Sequence, residues 1–321
     1  MFVSFVPHRI DCCCFEKNLS TSGPVSFLLG TSTAAEHLVQ YYSWDTSSQV
    51  EPEPLCWSEI HGEAIYISFR THDSNSFICV DTEGFVYEYN IIFSENGHRL
   101  ELSSDPSDIF GSSHAEDTIL SASFCMTSHV LAMGTYKGVY WLNMESFGNF
   151  PVFYPINTAC LLSTNVTCSG DVVCGSLDGV LTDVLSSSSL SLHAPIMAIT
   201  SSPNNPSIIV CGLRSGKVVV IERREDQRKV VLTKRSFLNV TESCIVDLLF
   251  VNNNLVISTS NGDTLLVDSR VIDNLMDLED EGMVAKISNS SLGVVGISLN
   301  GVENSLLVTS EASSIEIVLL D

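Results

Sequence analysis

Three features of this sequence carry side chains able to do chemistry. The first is Cys12-Cys13-Cys14. Thiolates ligate soft metals and exchange with disulfides, so a cysteine run is read first as a metal or redox site. In a strand, however, adjacent side chains point to opposite faces, so only Cys12 and Cys14 can converge. The run therefore supplies at most two ligands, and no two cysteines of the chain stand in the C-x-x-C spacing of a zinc site. Small core residues of a first strand are the simpler reading. The second feature is basic. Eight of the 15 lysines and arginines fall between positions 214 and 235: Arg214, Lys217, Arg223, Arg224, Arg228, Lys229, Lys234 and Arg235. Glu222, Glu225 and Asp226 interleave with them, so the stretch reads either as a solvated outer hairpin or as a docking patch for an acidic partner. The third is the acidic run Asp277, Glu279, Asp280 and Glu281. It lacks the spaced oxygen ligands and the glycine-mediated bend of a calcium loop. It reads as a solvated surface insertion or a partner-docking loop.

The totals narrow the classes of partner. The chain has 321 residues and a formal net charge of −23, so phosphate backbones and anionic membranes should repel it. Only 17% of residues are charged and 45% are hydrophobic, which describes a chain with a sizeable core rather than an acidic tail. No uncharged apolar run reaches about 18 residues, so no membrane-inserted segment is expected. The first residues lack the basic-then-apolar pattern of a signal peptide. The 11 cysteines are accordingly expected to be reduced and intracellular, most of them inside apolar strands. No dinucleotide, phosphate-loop or nucleophile-elbow motif occurs, and no cofactor or metal is expected.

Those side chains must be positioned by strands, because almost nothing in the chain reads as a long amphipathic helix. Residues 191–222 make one complete unit. An apolar run, 195–200, is followed by the turn Ser202-Pro203-Asn204-Asn205-Pro206, whose residues pre-set φ or hydrogen-bond their own backbone. A second run, 208–212, a tight turn at Arg214-Ser215-Gly216, and a third strand, 217–222, complete it. The unit recurs. Glycines precede a third strand at 84, 138, 179, 216 and 262, with outer strands expected at 100–102, 151–155 (opening the fourth unit), 229–233 and 283–287. Residues 47–54 read as a connection, and 272–282 as the least sheet-like segment. Seven such units fit the period of about 40–45 residues of propeller blades. The last unit has three strands, and the first seven residues are a strand without a unit. Both facts are explained if residues 1–7 supply the outer strand of the last blade and close the ring.

At this point the residues carry a likeness. His61, His114 and His193 each precede a first strand, Trp44-Asp45 ends a third one, and Asp178 stands just before a turn glycine. In these features the chain resembles the WD-repeat proteins, with most of the family's markers lost. It further resembles the small WD-repeat nucleoporins of the Y-shaped outer-ring subcomplex. The matching features are the opening FVSFVPHRI, the early Ser43-Trp44-Asp45, the long insertion after the sixth unit's third strand and the closing strands. The resemblance implies an all-β fold, a seven-bladed WD40-like β-propeller, as a single domain over residues 1–321. It implies that the histidines tie a loop to a turn and that Asp178 is a turn residue. It implies a non-catalytic scaffold of the nuclear pore outer ring supporting nucleocytoplasmic transport, located at the nuclear envelope. Propeller or helical-solenoid subunits of the same coat would be its partners, docking at Arg214, Lys217, Arg223, Arg224, Arg228 and Lys229 or at the acidic run. Two alternatives stand beside it: a WD-repeat adaptor of another intracellular complex, such as a ubiquitin-ligase substrate receptor or an assembly factor, and a propeller-fold esterase.

Overall fold

Second strands of the repeat units are the most apolar, and they are buried from end to end. Val130–Gly134, Val172–Ser176, Ile208–Leu213 and Ser305–Ser310 have no exposed residue. A strand hidden on both faces must have a sheet packed against each, and a continuous apolar run is the signature of that position. Outer strands alternate instead: Ser188–Ser191 reads half-buried, exposed, half-buried, exposed. Burial thus falls from the middle of each sheet to its rim, as stacked blades require.

The computed structural model describes residues 2–16, 24–47, 50–70, 75–95, 97–111, 117–145, 151–226, 229–251, 254–268, 284–290, 292–300 and 305–320. Among them are no helices and seven antiparallel meander sheets, the blades of a seven-bladed β-propeller. Blade 1 is Arg9–Phe15, Val25–Ser32, His37–Trp44 and Pro54–Ile60. Blade 2 is Ala64–Phe69, Ser76–Asp81, Phe85–Ser94 and Gly97–Leu102, with a two-residue strand Ser107–Asp108 beside the start of its third strand. Blade 3 is Ser121–Cys125, Val130–Gly134, Gly138–Asn143 and Val152–Pro155. Blade 4 is Leu161–Val166, Val172–Ser176, Val180–Asp183 and Ser188–Ser191. Blade 5 is Ile196–Ser201, Ile208–Leu213, Lys217–Asp226 and Lys229–Asn239. Blade 6 is Ile245–Val251, Asn254–Thr259, Asp263–Asp268 and Val284–Asn289. Blade 7 is Val294–Asn300, Ser305–Ser310 and Ser314–Leu319, and its outer strand is Phe2–Phe5 from the opposite end of the chain, paired Phe2 with Ile317 through Phe5 with Ser314.

Chain contacts divide these blades between two units. One comprises Met1–Glu116 and Ser290–Asp321, with blades 1, 2 and 7; the other, Asp117–Asn289, holds blades 3 to 6. Each has its own inter-sheet cores. In the first, Phe15, Phe27, Tyr42 and Trp44 of blade 1 pack with Leu307, Ile315 and Ile317 of blade 7. In the second, Val173 and Leu181 of blade 4 pack with Ile209, Val219, Ile221 and Leu232 of blade 5.

The outer strands are where the sequence misleads. Blade 1 has a fourth strand, Pro54–Ile60, which the sequence reading did not assign; the exposed Trp57 and the half-buried Ser58 obscure its alternation. Residues 151–155 belong to blade 3, not to the fourth unit, since Val152 to Pro155 pair with Trp141 to Gly138. Blade 4 ends in Ser188–Ser191, a serine-rich segment with little strand propensity that pairs because Val180–Asp183 beside it needs a partner. Outer strands face solvent, so their composition is weakly constrained. Residues 269–283, with the segment expected to be least sheet-like, lie outside the described residues.

One turn recurs between second and third strands. The amides of Gly84, Gly179, Gly216, Gly262 and Ser313 donate to the carbonyls of Asp81, Ser176, Leu213, Thr259 and Ser310, at 3.0 to 3.3 Å. All five residues have left-handed φ, between 58° and 93°. Blade 3 departs from this pattern: Gly138 is already a strand residue, and its amide donates to Thr135 Oγ1 at 3.2 Å. Gly216 is fixed doubly, because a Cβ there would sit 1.9 Å from the Thr241 carbonyl oxygen. Blade 7 alone among the five places a side chain in the left-handed region, at Ser313 (φ 58°). Ser313→Gly should therefore stabilise the protein by about 0.5 kcal/mol, the relief of strain being partly offset by unfolded-state entropy. A shift of the urea midpoint to higher concentration checks this.

Candidate docking surface

The basic stretch lies on blade 5, and its two long strands are what display it. Lys217–Asp226 and Lys229–Asn239 form a hairpin whose register slips once, so that Val220 faces Ser236 and Ile221 faces Lys234. Arg235 is the extra residue. The bulge brings Lys234 and Phe237, three apart in sequence, onto the same face as Lys217, because their partners Ile221 and Val219 are two apart. On that face Lys234 Nζ lies 4.6 Å and Lys217 Nζ 5.4 Å from the centre of the Phe237 ring, which is 37% exposed. An aromatic face flanked by two ammonium groups is held by cation–π attraction.

The other cations of the stretch divide. Arg223 is a structural clamp between blades. Its Nε donates to Asp183 Oδ2 at 2.7 Å and its second guanidinium arm to Asp171 Oδ1 at 2.9 Å, both on blade 4. Asp183 is buried, with 1% of its side chain exposed. This corrects the expectation that Arg223 is available for docking. Arg224 Nε meets Glu222 Oε1 at 2.5 Å, and Arg235 also pairs with Glu222. Arg214 and Lys229 are exposed, Lys229 opposite Asp226 at the hairpin end. Arg228 and the acidic run Asp277, Glu279, Asp280 and Glu281 lie outside the described residues. The patch is therefore smaller than the sequence implied, and it contains an aromatic ring, Phe237, that charge counting overlooked.

The three marker histidines part company. His61 Nδ1 lies 2.6 Å from Tyr87 Oη, which donates to Asp81 Oδ2 at 2.9 Å. Asp81 also accepts the amides of Gly62 at 3.0 Å and Phe85 at 2.9 Å. Blade 2 thus has a complete tie between loop and turn, with a carboxylate three residues before the turn glycine. His193 does no comparable job: it is exposed, has φ 60°, and lies 3.3 Å from Ser191 Oγ. His114 lies outside the described residues. Asp178 sits in its turn, accepting from Ser176 Oγ and, at 3.4 Å, from the Ala159 amide.

Cys12, Cys13 and Cys14 occupy the inner strand of blade 1 outside any disulfide, with Thr309 Oγ1 3.6 Å from Cys13 Sγ. No group of three or more His, Cys, Asp or Glu side chains is placed to hold a metal ion among the described residues. Burial pushes the thiols of Cys12, Cys79 and Cys211 well up, and that of Cys174 to about 12. Cys168 is exposed. Alkylation of the native protein at neutral pH should therefore mark Cys168 first and leave Cys79, Cys174 and Cys211 unmodified until unfolding, as read by peptide mass spectrometry.

A cavity of about 410 Å³ in the first unit is lined by Arg9, Asp11, Glu63 and Glu311 with Ile10, Ala64, Ile65 and Val295. Arg9 bridges Asp11 and Glu63, each at 2.8 Å. Burial pushes the Asp11 carboxyl above its ordinary value, against the Ser32 hydroxyl and the Arg9 guanidinium that favour its charged form. Ser32 Oγ donates to Asp11 and lies 2.9 Å from His37 Nδ1. Ser32 thus sits between a carboxylate and an imidazole, and the His37 tautomer sets which of the two nitrogens carries the proton.

No protein-family profile matches the chain, and no curated protein matches it. Among solved structures, a chain in the crystal structure of the mitotic checkpoint complex superposes with a TM-score of 0.67 at 12% identity, covering 99% of this chain and 90% of that one. At that identity the likeness is one of fold.

Proposed function

We propose that the protein is a non-catalytic scaffold that docks other proteins, and that it serves in the outer ring of the nuclear pore, at the nuclear envelope. The observation that carries the docking reading is the placement of its uncommitted chemistry. Lys217, Lys234 and Phe237 lie on the rim of a blade rather than around a cavity. A rim of this kind suits a macromolecular surface. The structural neighbour is itself part of a multi-protein complex, which supports protein partners. The finer assignment rests on the likeness of the opening strand, Ser43-Trp44-Asp45 and the closing strands to the small outer-ring nucleoporins. A WD-repeat adaptor of another intracellular complex is equally compatible with the fold.

Affinity purification of a tagged copy under native conditions, with mass spectrometry of what it carries, separates them. Recovery of outer-ring subunits, with a nuclear-rim signal in cells, supports the pore reading. A ubiquitin ligase or an assembly intermediate in their place would assign the scaffold elsewhere. Ester turnover by the purified protein that is lost in Ser32→Ala or His61→Ala would overturn the non-catalytic reading.

A further inference from the structure

We propose that residues 233–239, the uncovered half of blade 5's outer strand, take an extended acidic segment of a partner protein as an added strand. The inference rests on the docking reading above and specifies its site and mode.

Three observations carry it. The first is cover. The outer strand of blade 5, Lys229–Asn239, has 11 residues, whereas the outer strand of blade 4 beside it, Ser188–Ser191, has 4. The short strand meets only the first part of the long one: Ser188 Oγ donates to the Val230 carbonyl at 2.6 Å, and Leu190 packs into the cluster that holds Leu232 and Val230. From Lys234 onward the same face is open, with Lys234 and Phe237 exposed. The second is the edge. The strand pairs with Lys217–Asp226 on one side and with no strand on the other among the described residues. Such an edge offers backbone donors and acceptors to an incoming strand.

The third is charge. On a chain of net charge −23, Lys217 and Lys234 form a local positive pair that lies against the Phe237 ring. Arg214 adds a third exposed cation at the neighbouring turn, with Glu242 the exposed acid nearby in sequence. Arg223 and Arg235 are already held by acids, so the positive field narrows to this half of the strand. An acidic strand with apolar residues between its carboxylates complements it: carboxylates meet Lys217 and Lys234, and an apolar side chain covers Phe237. A phosphate backbone would meet the same cations, but the field of the whole protein opposes it over a longer range.

The test uses the full-length protein and a fluorescein-labelled octapeptide alternating glutamate and valine, followed by anisotropy. Saturable binding is expected. It should weaken at least tenfold in the K217E/K234E variant, whose two sites are exposed and whose folding circular dichroism can confirm. It should weaken similarly when alternate amides of the peptide are N-methylated, which removes strand pairing while keeping the charge. No saturable binding overturns the proposal, as does binding indifferent to either change. Tighter binding of a single-stranded oligonucleotide or a phosphatidylserine vesicle at the same lysines also overturns it. If the edge fails here while K217E/K234E still recovers the native complex, the scaffold reading stands and only the strand-addition site falls. If the native complex itself is absent, the scaffold reading falls separately.

Discussion

Asp81→Ala should lower the stability of the protein by about 4 kcal/mol, because it takes the carboxylate away from three donors at the base of the turn. The donors are the Gly62 amide, the Phe85 amide and the Tyr87 hydroxyl, all within 3.0 Å of a carboxylate that is itself fully buried. Each unmet donor costs roughly 1–3 kcal/mol, so the total falls in the range where single substitutions become exceptional. Asp81→Asn should cost about half as much, since its one carbonyl oxygen still accepts while its amino group opposes a donor. Tyr87→Phe removes one member of the chain to His61 and should cost about 1 kcal/mol. Thermal and urea unfolding of the three variants checks both the order and the size. An asparagine variant as stable as the native protein, beside a destabilised alanine variant, would show that the side chain acts by packing rather than as an acceptor.

The second large effect concerns Arg223, which the sequence placed among the docking residues. Arg223→Ala should cost about 3 kcal/mol, because it leaves the buried Asp183 carboxylate without its guanidinium. Asp183 keeps the Ser186 amide and hydroxyl at 2.9 and 2.6 Å, which limits the damage. Arg223→Lys should recover only part of the loss, because one ammonium group cannot hold both Asp171 and Asp183 in the geometry of the planar fork. By contrast, Lys217→Glu and Lys234→Glu lie on the exposed rim, where substitutions stay within about 0.5 kcal/mol. Stability and partner binding should therefore separate between neighbouring cations of one hairpin. Unfolding curves for Arg223 variants and binding curves for the lysine variants read the two properties independently.

The fold was legible because its inner three strands per blade are written in apolar runs joined by turn chemistry. The segment Ile208–Leu213, Arg214-Ser215-Gly216 and Lys217–Asp226 shows it: buried strand, left-handed glycine, departing strand. The closing pair was legible too, since a strand opening the chain and a three-stranded last unit each lacked a partner, and Phe2–Phe5 pairs with Ser314–Leu319. Outer strands were less so. Pro54–Ile60 and Ser188–Ser191 are strands because a neighbour offers hydrogen bonds, not because their residues prefer it. Capping was misread for a different reason. The side chain that closes the turn is not next to the glycine but three residues before it: Asp81, Ser176 and Thr259 cap the amides of Phe85, Val180 and Asp263. Two of the three are hydroxyls, which charge-based inspection passes over. Blade 5, whose turn begins at Leu213, has no such cap and relies on the Gly216–Thr241 approach instead.

The candidate site was half legible. Counting cations places the basic stretch on blade 5, but only register reveals which of them share a face. The bulge at Arg235 joins Lys234 to Phe237 and Lys217, while the regular stretch beyond it directs Arg223 into blade 4. A one-residue slip that depends on pairing cannot be read from one strand's sequence.

The native mass of the endogenous protein tests the central claim most directly. A scaffold held by docking should be recovered, at physiological salt, in an assembly several times heavier than its own 35.0 kDa and containing other chains in fixed ratio. A free 35.0 kDa monomer throughout the extract, with no stoichiometric partner after gentle crosslinking, would contradict it.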